Sequence, residues 1–161
     1  VTYAGGGGGS NESSSGGVEP GVGGSGGGGN YVAAIKPGKE PAVSYKLDRS
    51  APYVPTSVCL GELMFCFYDK GILSCLDTKT GEIYYQKRLD CAFSGSAIRV
   101  GDKLFCVDEE GIVHVIAASK EFTVLAKNPL GEDCRSTPAV SGGRMYIRTY
   151  SQLICVGPKK S

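Results

Sequence analysis

Short apolar runs separated by polar turns dominate the chain from Tyr31 onward. The runs are four to seven residues long and rich in Val, Ile, Phe and Tyr, and they are interrupted by Gly, Asp-Lys or Ser. No window has the apolar spacing of an amphipathic helix over three turns. The pattern predicts an all-β protein of short strands and tight turns.

The runs repeat with a period of about 40 residues. The stretch "GELMFCFYDKGILSCLD" (61–77) aligns without a gap with "GDKLFCVDEEGIVHVIA" (101–117). A third copy, "GRMYIRTYSQLICVG" (143–157), has one residue inserted, and "NYVAAIKPGKEPAVSYKL" (30–47) is a degenerate copy. A unit of this length with four short strands has the size of one β-propeller blade.

The repeat therefore predicts a β-propeller of four-stranded antiparallel blades, present here as part of a larger ring. Because a ring usually has 4 to 8 blades, we expect the missing blades, and the strand that completes the last one, from a longer chain. The predicted divisions are a partial blade over 1–47 with a flexible Gly-rich hairpin insertion at 5–29, complete blades over 48–89 and 90–130, a last blade without its outer strand over 131–158, and a tail at 159–161.

The stretch "CLDTKTGEIYY" (75–85) contains a tight turn between the third and fourth strands of a blade. Asp77 can accept backbone N–H bonds from the turn, Thr80 can donate or accept within it, and Gly81 tolerates a positive φ. Tyr85 then offers a large ring that can pack on the next blade. We predict that these four residues are a structural turn motif and not a catalytic set.

The same stretch resembles the repeat Ala-x-Asp-x-x-Thr-Gly-x-x-x-Trp of pyrroloquinoline-quinone (PQQ) type propellers. Asp77, Thr80 and Gly81 match, whereas Cys75 replaces Ala and Tyr85 replaces Trp. Residues 30–157 resemble the C-terminal blades of a quinoprotein-like propeller, in a superfamily that holds quinone-dependent dehydrogenases and the propeller lipoprotein of the outer-membrane barrel-assembly machinery. The resemblance implies a periplasmic or otherwise extracytoplasmic location.

Composition adds a flexible segment to this picture. The chain has 25 glycines, of which 14 lie between Gly5 and Gly29, and such a density of Gly and Ser predicts a solvated tether. Matches to G-x-G-x-x-G (21–26) and G-x-S-x-G (23–27) arise there from composition, because no helix follows them.

Charge excludes two classes of partner. The chain has 17 Lys plus Arg against 16 Asp plus Glu, so it shows no basic face for nucleic acid or anionic lipid. No apolar run approaches the roughly 20 residues of a membrane-spanning helix. We expect neither a nucleic-acid partner nor a membrane-spanning segment.

Seven cysteines are scattered through the chain without a C-x-x-C pair and with a single His. This spacing gives a zinc site little support, and we expect no metal ligands. Most of the cysteines lie in apolar runs, where Cys behaves as a small buried hydrophobe. The seven are Cys59, Cys66, Cys75, Cys91, Cys106, Cys134 and Cys155.

Other polar residues are weak candidates for a site. His114 is at the polar phase of its strand, matching Ser74 one repeat earlier, so we expect a surface or inter-blade role. Three consecutive acids form a predicted solvated hairpin tip, with a weakly bound cation as the alternative. Three arginines of the last blade are expected along a rim without a common target. The acids are Asp108, Glu109 and Glu110, and the arginines are Arg135, Arg144 and Arg148.

Function is predicted from the resemblance and from what the chain lacks. Quinone-dependent family members stack the cofactor on an aromatic ring, usually Trp, bind calcium and use an Asp base, but this chain has no Trp and no adjacent cysteines. The favoured hypothesis is a non-catalytic scaffold without a cofactor in this stretch, which binds a protein, a ligand or a cell-envelope component.

Two alternatives stay open. In the first, the chain is the C-terminal part of a PQQ- and calcium-dependent alcohol or sugar dehydrogenase whose catalytic residues lie upstream, so cofactor-binding residues are unknown. In the second, copies of the chain assemble into a ring, which is less favoured because both edge blades would expose unpaired strands.

Overall fold

The computed structural model describes residues 3–4, 31–36 and 39–158. The predicted Gly-rich insertion at 5–29 and the tail at 159–161 lie outside the described residues. All regular elements within the described ranges are strands, so that part of the chain contains no helix able to cross a membrane.

The strands form four antiparallel sheets. Sheet 1 contains β1 (Tyr3–Ala4), β2 (Val32–Lys36) and β3 (Ala42–Leu47). Sheet 2 contains β4 (Val58–Leu60), β5 (Leu63–Tyr68), β6 (Ile72–Asp77) and β7 (Ile83–Arg88). Sheet 3 contains β8 (Ile98–Val100), β9 (Lys103–Val107), β10 (Ile112–Ala117) and β11 (Val124–Pro129). Sheet 4 contains β12 (Ala139–Ser141), β13 (Arg144–Arg148) and β14 (Leu153–Val156).

Within each sheet, strands adjacent in sequence are adjacent in space, so each sheet is a simple antiparallel meander. Sheets 2 and 3 have four strands, and sheets 1 and 4 have three among the described residues. The all-β, four-stranded blade architecture predicted from the repeat is confirmed.

The sequence repeat is also a repeat of backbone irregularity. The register between the third and fourth strands shifts between Cys75 and Leu76 in sheet 2 and between Val115 and Ile116 in sheet 3. The same shift falls after Ala34 in sheet 1. A β-bulge increases local strand twist, so the three sheets twist at equivalent positions.

The cores lie between the sheets. The largest cluster joins sheets 2 and 3, and two smaller clusters join sheets 1 and 2 and sheets 3 and 4. In the largest, Phe67 meets Phe93 edge-to-face with ring centroids 5.4 Å apart. Its other fully buried members include Phe65, Leu73, Leu104 and Ile116.

The central strands are covered on both faces. Four consecutive residues of β6, from Leu73 to Leu76, are buried, and so are four of β10, from Val113 to Ile116. A strand packed between two neighbouring sheets has no solvent face, so alternation of polar and apolar residues does not report exposure there. Ser74 is accordingly buried.

Three segments join consecutive sheets, and we call them connectors: 48–57, 89–97 and 130–138. In a meander they lie at the same end as the turns between second and third strands, and we call this the connector end. The Phe93 amide donates to the Asp69 carbonyl at 2.9 Å, and the Cys134 amide donates to the Glu109 carbonyl at 3.2 Å. The connectors 89–97 and 130–138 are therefore each tied to the hairpin turn of the preceding sheet.

Side-chain hydroxyls add a second set of ties between connectors. The Thr56 amide donates to Ser96 Oγ at 2.9 Å, and the Ser96 amide donates to Thr137 Oγ1 at 2.9 Å. These three residues occupy equivalent positions of successive repeats. The repeated Ser or Thr thus links each connector to the next.

Two hairpin glycines permit the close approach of the connectors. Gly71 and Gly111 have φ of 75° and 77°. A Cβ at Gly71 would overlap the carbonyl oxygen of Cys91, and a Cβ at Gly111 would overlap that of Glu132. Both positions therefore require glycine for backbone conformation and for space.

Substitution of Gly111 by alanine is expected to destabilise the fold more than the same change at Gly101. Both residues have positive φ, but a Cβ at Gly101 meets nothing within 4 Å. We expect Gly101→Ala to cost about 1 kcal/mol and Gly111→Ala about 1–3 kcal/mol more, because its methyl group displaces the connector backbone. Urea unfolding of both variants measures the difference, and equal costs would show that the connector does not pack on the hairpin.

Candidate functional site at the connector end

The predicted turn motif lies at the end of sheet 2 opposite the connectors. Asp77 Oδ1 accepts from the amides of Lys79 at 2.8 Å and Thr80 at 2.9 Å. Gly81 has a φ of 77° and donates its amide to the Asp77 carbonyl at 2.9 Å. Every polar contact described for the Asp77 carboxylate lies within this turn region.

Hydrogen bonding lowers the pKa of Asp77 to about 2. The amides of Thr80 and then Lys79 contribute most, followed by the hydroxyl of Tyr84, which donates to Oδ2 at 2.9 Å. Donors that point at a carboxylate stabilise its charged form.

Tyr85 lies at the contact between sheets 2 and 3. It is the third residue of β7. Its ring is buried and meets Phe122 of the following repeat, with centroids 5.6 Å apart. The structure thus brings Tyr85 to an inter-sheet contact and leaves it apart from the polar groups of the connector end.

A buried Asp–His pair lies beneath the connector end of sheet 3. Asp108 and His114 are each 1% exposed. His114 Nε2 lies 2.7 Å from Asp108 Oδ2, and Asp108 Oδ1 accepts from the amide of Ile112 at 2.8 Å. The His114 ring also meets Phe93 of the connector edge-to-face, with centroids 5.8 Å apart.

Two sequence interpretations are corrected by this pair. Asp108 is not part of a solvated hairpin tip, because the connector covers it and two donors occupy its oxygens. His114 is not on a surface, because β10 is buried on both faces, although its contact with Phe93 is an inter-blade one. Of the three consecutive acids, Glu110 is exposed, and Glu109 is half-buried and accepts from Ser94.

Cys91 of the connector completes a cluster with this pair. Its Sγ, a carboxylate oxygen of Asp108 and a ring nitrogen of His114 all lie within 4.8 Å of one another. Burial raises the pKa of the Cys91 thiol to about 12, and the nearby Asp108 charge adds to this effect. We call these three residues the Cys–Asp–His cluster.

The cluster does not have the electrostatics of a nucleophilic cysteine. Catalytic thiols have a lowered pKa, set by neighbouring cations or helix N-termini, whereas that of Cys91 is raised. Nor does the donor set fit the calcium that accompanies PQQ in dehydrogenases, because calcium takes oxygen ligands and this cluster offers sulfur and nitrogen.

The sequence contained a signal for this cluster that was missed. The repeat aligns Asp108 with Tyr68 and His114 with Ser74. The β9–β10 hairpin therefore differs from the β5–β6 hairpin at two positions that hold buried polar residues. Cys91 could not be added from sequence alone, because it belongs to a connector whose path depends on how the sheets pack.

A surface cleft of about 530 Å³ lies at the connector end of sheet 4. Arg135 and Arg148 both line it, beside Tyr150. Arg135 also forms an ion pair with Glu109, with Nη2 and Oε2 3.3 Å apart. Arg144, the third arginine of the expected rim, does not line the cleft and contacts Gly157.

Hydrogen bonds to Glu132 fix the turn that contains Tyr150. Glu132 accepts from the amide of Ser151 at 3.0 Å and from Nε2 of Gln152 at 2.9 Å. The bond from the Ser151 hydroxyl, followed by these two, lowers the pKa of Glu132 to about 2. The Tyr150 amide donates to the Asp133 carbonyl at 3.1 Å, yet its side chain is 86% exposed.

Further apolar surface is exposed at the connector end of sheet 2. Tyr53 and Val54 are 54% and 55% exposed, although both are connector residues. Their amides donate to the two carboxylate oxygens of Asp69, at 2.7 and 2.9 Å. The backbone that presents these side chains is therefore anchored to the neighbouring turn.

The cysteines are free thiols. The interpretation as buried hydrophobes is correct for Cys66, Cys75, Cys106 and Cys134, and Cys91 is half-buried. It is wrong for Cys59 in β4 and Cys155 in β14, which are exposed.

Comparison with solved structures identifies the fold. The chain is similar to BamB from Moraxella catarrhalis, with a TM-score of 0.65 and 15% identity over 78% of this chain and 39% of that one. It is also similar to a europium-containing methanol dehydrogenase, with a TM-score of 0.51 and 16% identity over 61% of this chain and 21% of that one. No family model and no curated protein matches the sequence.

The chain thus has the fold of a segment of a PQQ-like β-propeller, as the sequence resemblance implied. The chain spans well under half the length of either solved structure. At this identity the similarity concerns the fold.

The Asp77 turn is expected to stabilise the fold in a pH-dependent way. The pKa of Asp77 is lowered from 3.8 to about 2, so its contribution is fully present above about pH 4 and is lost as the pH falls through 2. Carboxyl NMR titration should give Asp77 a midpoint near 2 in the folded chain and near its ordinary value, about 3.9, in denaturant. A folded-state midpoint near 4 would contradict the hydrogen bonding of the turn.

Proposed function

We propose that this chain is part of a non-catalytic propeller that binds a protein partner through its connector end. The observation that carries the proposal is the combination of a fully anchored backbone with exposed Tyr150, Arg135 and Arg148 around one cleft. Tyrosine and arginine are the residues that most often dominate the energy of protein interfaces.

Anchoring supports this role because it lowers the entropy lost on binding. The Tyr150 turn is fixed by Glu132, and the Tyr53 segment is fixed by Asp69. A ring presented on a rigid turn has only its own two torsions to order when it meets a partner. The exposed rings of sheets 2 and 4 therefore suit a preformed binding surface.

The charges favour an acidic partner segment. Arg135 forms an ion pair with Glu109, whereas Arg148 has no ion-pair partner among residues 31–36 and 39–158. Asp133 lies at the same cleft and limits its net positive charge. A partner carboxylate that pairs with Arg148 would gain a charge-assisted, planar hydrogen-bonding partner.

The buried cluster supports a non-catalytic reading. Its one thiol has a raised pKa, and two of its three side chains are sealed from solvent. Substrate access to Asp108 and His114 would require movement of the connector that packs on Gly71 and Phe67. The proposed setting is extracytoplasmic, which rests on the resemblance to PQQ-type propellers.

Site-specific photocross-linking tests the proposal in the full-length protein in its host cell. A photoreactive residue in place of Tyr150 should cross-link one defined protein, and Arg148→Glu should weaken that protein's binding about 30-fold, as loss of a hot-spot arginine does. Matched controls lie at the opposite end: Ile83, 44% exposed, for the photoreactive residue and Arg99, also exposed, for the charge reversal.

Two outcomes would contradict the proposal. Cross-linking that is equal from positions 150 and 83, or unaffected by Arg148→Glu, would exclude the connector end as the binding surface. Quinone- and calcium-dependent dye reduction by the full-length protein would instead establish a dehydrogenase.

A further inference from the structure

The Cys–Asp–His cluster places a buried histidine ring beside a carboxylate and a thiol. His114 is 1% exposed and uses Nε2 toward Asp108, but its Nδ1 is buried and has no hydrogen-bond partner in the described part of the chain. Nε2 is therefore the ring nitrogen that faces Asp108, and Nδ1 lies on the opposite side of the ring.

Neutral imidazole, thiolate and carboxylate are together the ligands of zinc-class ions. Since Nε2 faces Asp108, it is the nitrogen whose lone pair can share an ion with the Asp108 carboxylate, with the ring proton on Nδ1. Such a lone pair is what a neutral imidazole offers a metal. The sulfur of Cys91, a ring nitrogen of His114 and a carboxylate oxygen of Asp108 thus lie close together at the connector end of sheet 3.

The electrostatic surroundings favour a cation. Asp90 precedes Cys91 in the connector, and Glu110 lies in the same hairpin turn as Asp108, so three carboxylates lie at or beside the cluster. Lys127 is opposite His114 in the β10–β11 register. Three negative charges against one positive charge favour a divalent ion over the empty cluster.

We propose that Cys91, Asp108 and His114 bind a divalent transition-metal ion of the zinc class. The protein ligands are Sγ, a carboxylate oxygen and a ring nitrogen, and water takes the fourth tetrahedral position. Cys91 is half-buried, unlike its two partners, so the ion enters from the side of the connector.

Small side-chain movements are enough to form the site. Ligand atoms of one tetrahedral zinc ion lie about 3.3–3.7 Å apart, given bonds of about 2.0–2.3 Å. The His114–Asp108 distance of 2.7 Å must lengthen slightly, and the larger separations, up to 4.8 Å, must shorten. The thiol proton of Cys91 leaves to solvent as the sulfur–metal bond forms.

The ion would join two parts of the fold. Cys91 belongs to the connector that packs on Gly71 of sheet 2, whereas Asp108 and His114 belong to the β9–β10 hairpin of sheet 3. A metal between them would cross-link the connector to that hairpin. Metal binding is therefore expected to raise the melting temperature, since an ion that binds only the folded state stabilises it.

Cobalt titration of the reduced, metal-free full chain tests the proposal. One equivalent of Co²⁺ should give the near-ultraviolet absorption of thiolate-to-cobalt charge transfer, and Zn²⁺ should displace it and raise the melting temperature. Cys91→Ser should abolish the charge-transfer band and weaken Zn²⁺ binding at least about tenfold. Cys155→Ser, which removes an exposed thiol in β14, is the matched control and should leave both unchanged.

The design separates binding from folding. Because His114 is fully buried, His114→Gln can impair folding, so Cys91→Ser, at a half-buried residue, carries the test, with circular dichroism in EDTA as the check on its fold. A wild-type chain that gives no charge-transfer band, or a band that survives in Cys91→Ser, would overturn the proposal. Neither result would affect protein binding at Tyr150.

Discussion

The packing of the connectors 89–97 and 130–138 against the hairpin turn of the preceding sheet is the contact on which the rest of this structure depends. The Phe93 and Cys134 amides bond the Asp69 and Glu109 carbonyls, and glycines at 71 and 111 let the backbones meet. A single sheet leaves its central strands uncovered, so it cannot bury both faces alone. The connectors set the distance at which neighbouring sheets cover each other.

This constraint makes the two ends of the sheets different in chemistry. At the far end, the Asp77 turn satisfies its own polar groups. At the connector end, groups from two sheets are forced together, which produces both the buried Cys–Asp–His cluster and the exposed cleft beside Tyr150. Binding through this end and metal ligation beneath it are separate proposals with one structural origin.

The sequence predicted the fold well because each sequence repeat corresponds to one sheet. Equivalent bulges after Ala34, Cys75 and Val115 follow the repeat closely. It predicted the site poorly, since His114 and Asp108 were assigned by their alternation and turn position, rules that fail in a strand packed on both faces. Cys91 joins them only through the packing of a connector, which no local pattern encodes.

Native-state hydrogen exchange of the Phe93 and Cys134 amides tests this account most directly. Both belong to connectors without regular secondary structure, so only their bonds to the preceding hairpin protect them. If connector packing unites the sheets, these amides exchange as slowly as those of β5 and β10, through global unfolding. Exchange at the rate of exposed loops, with the strands still protected, would show that the sheets are stable without the connectors and would contradict the account.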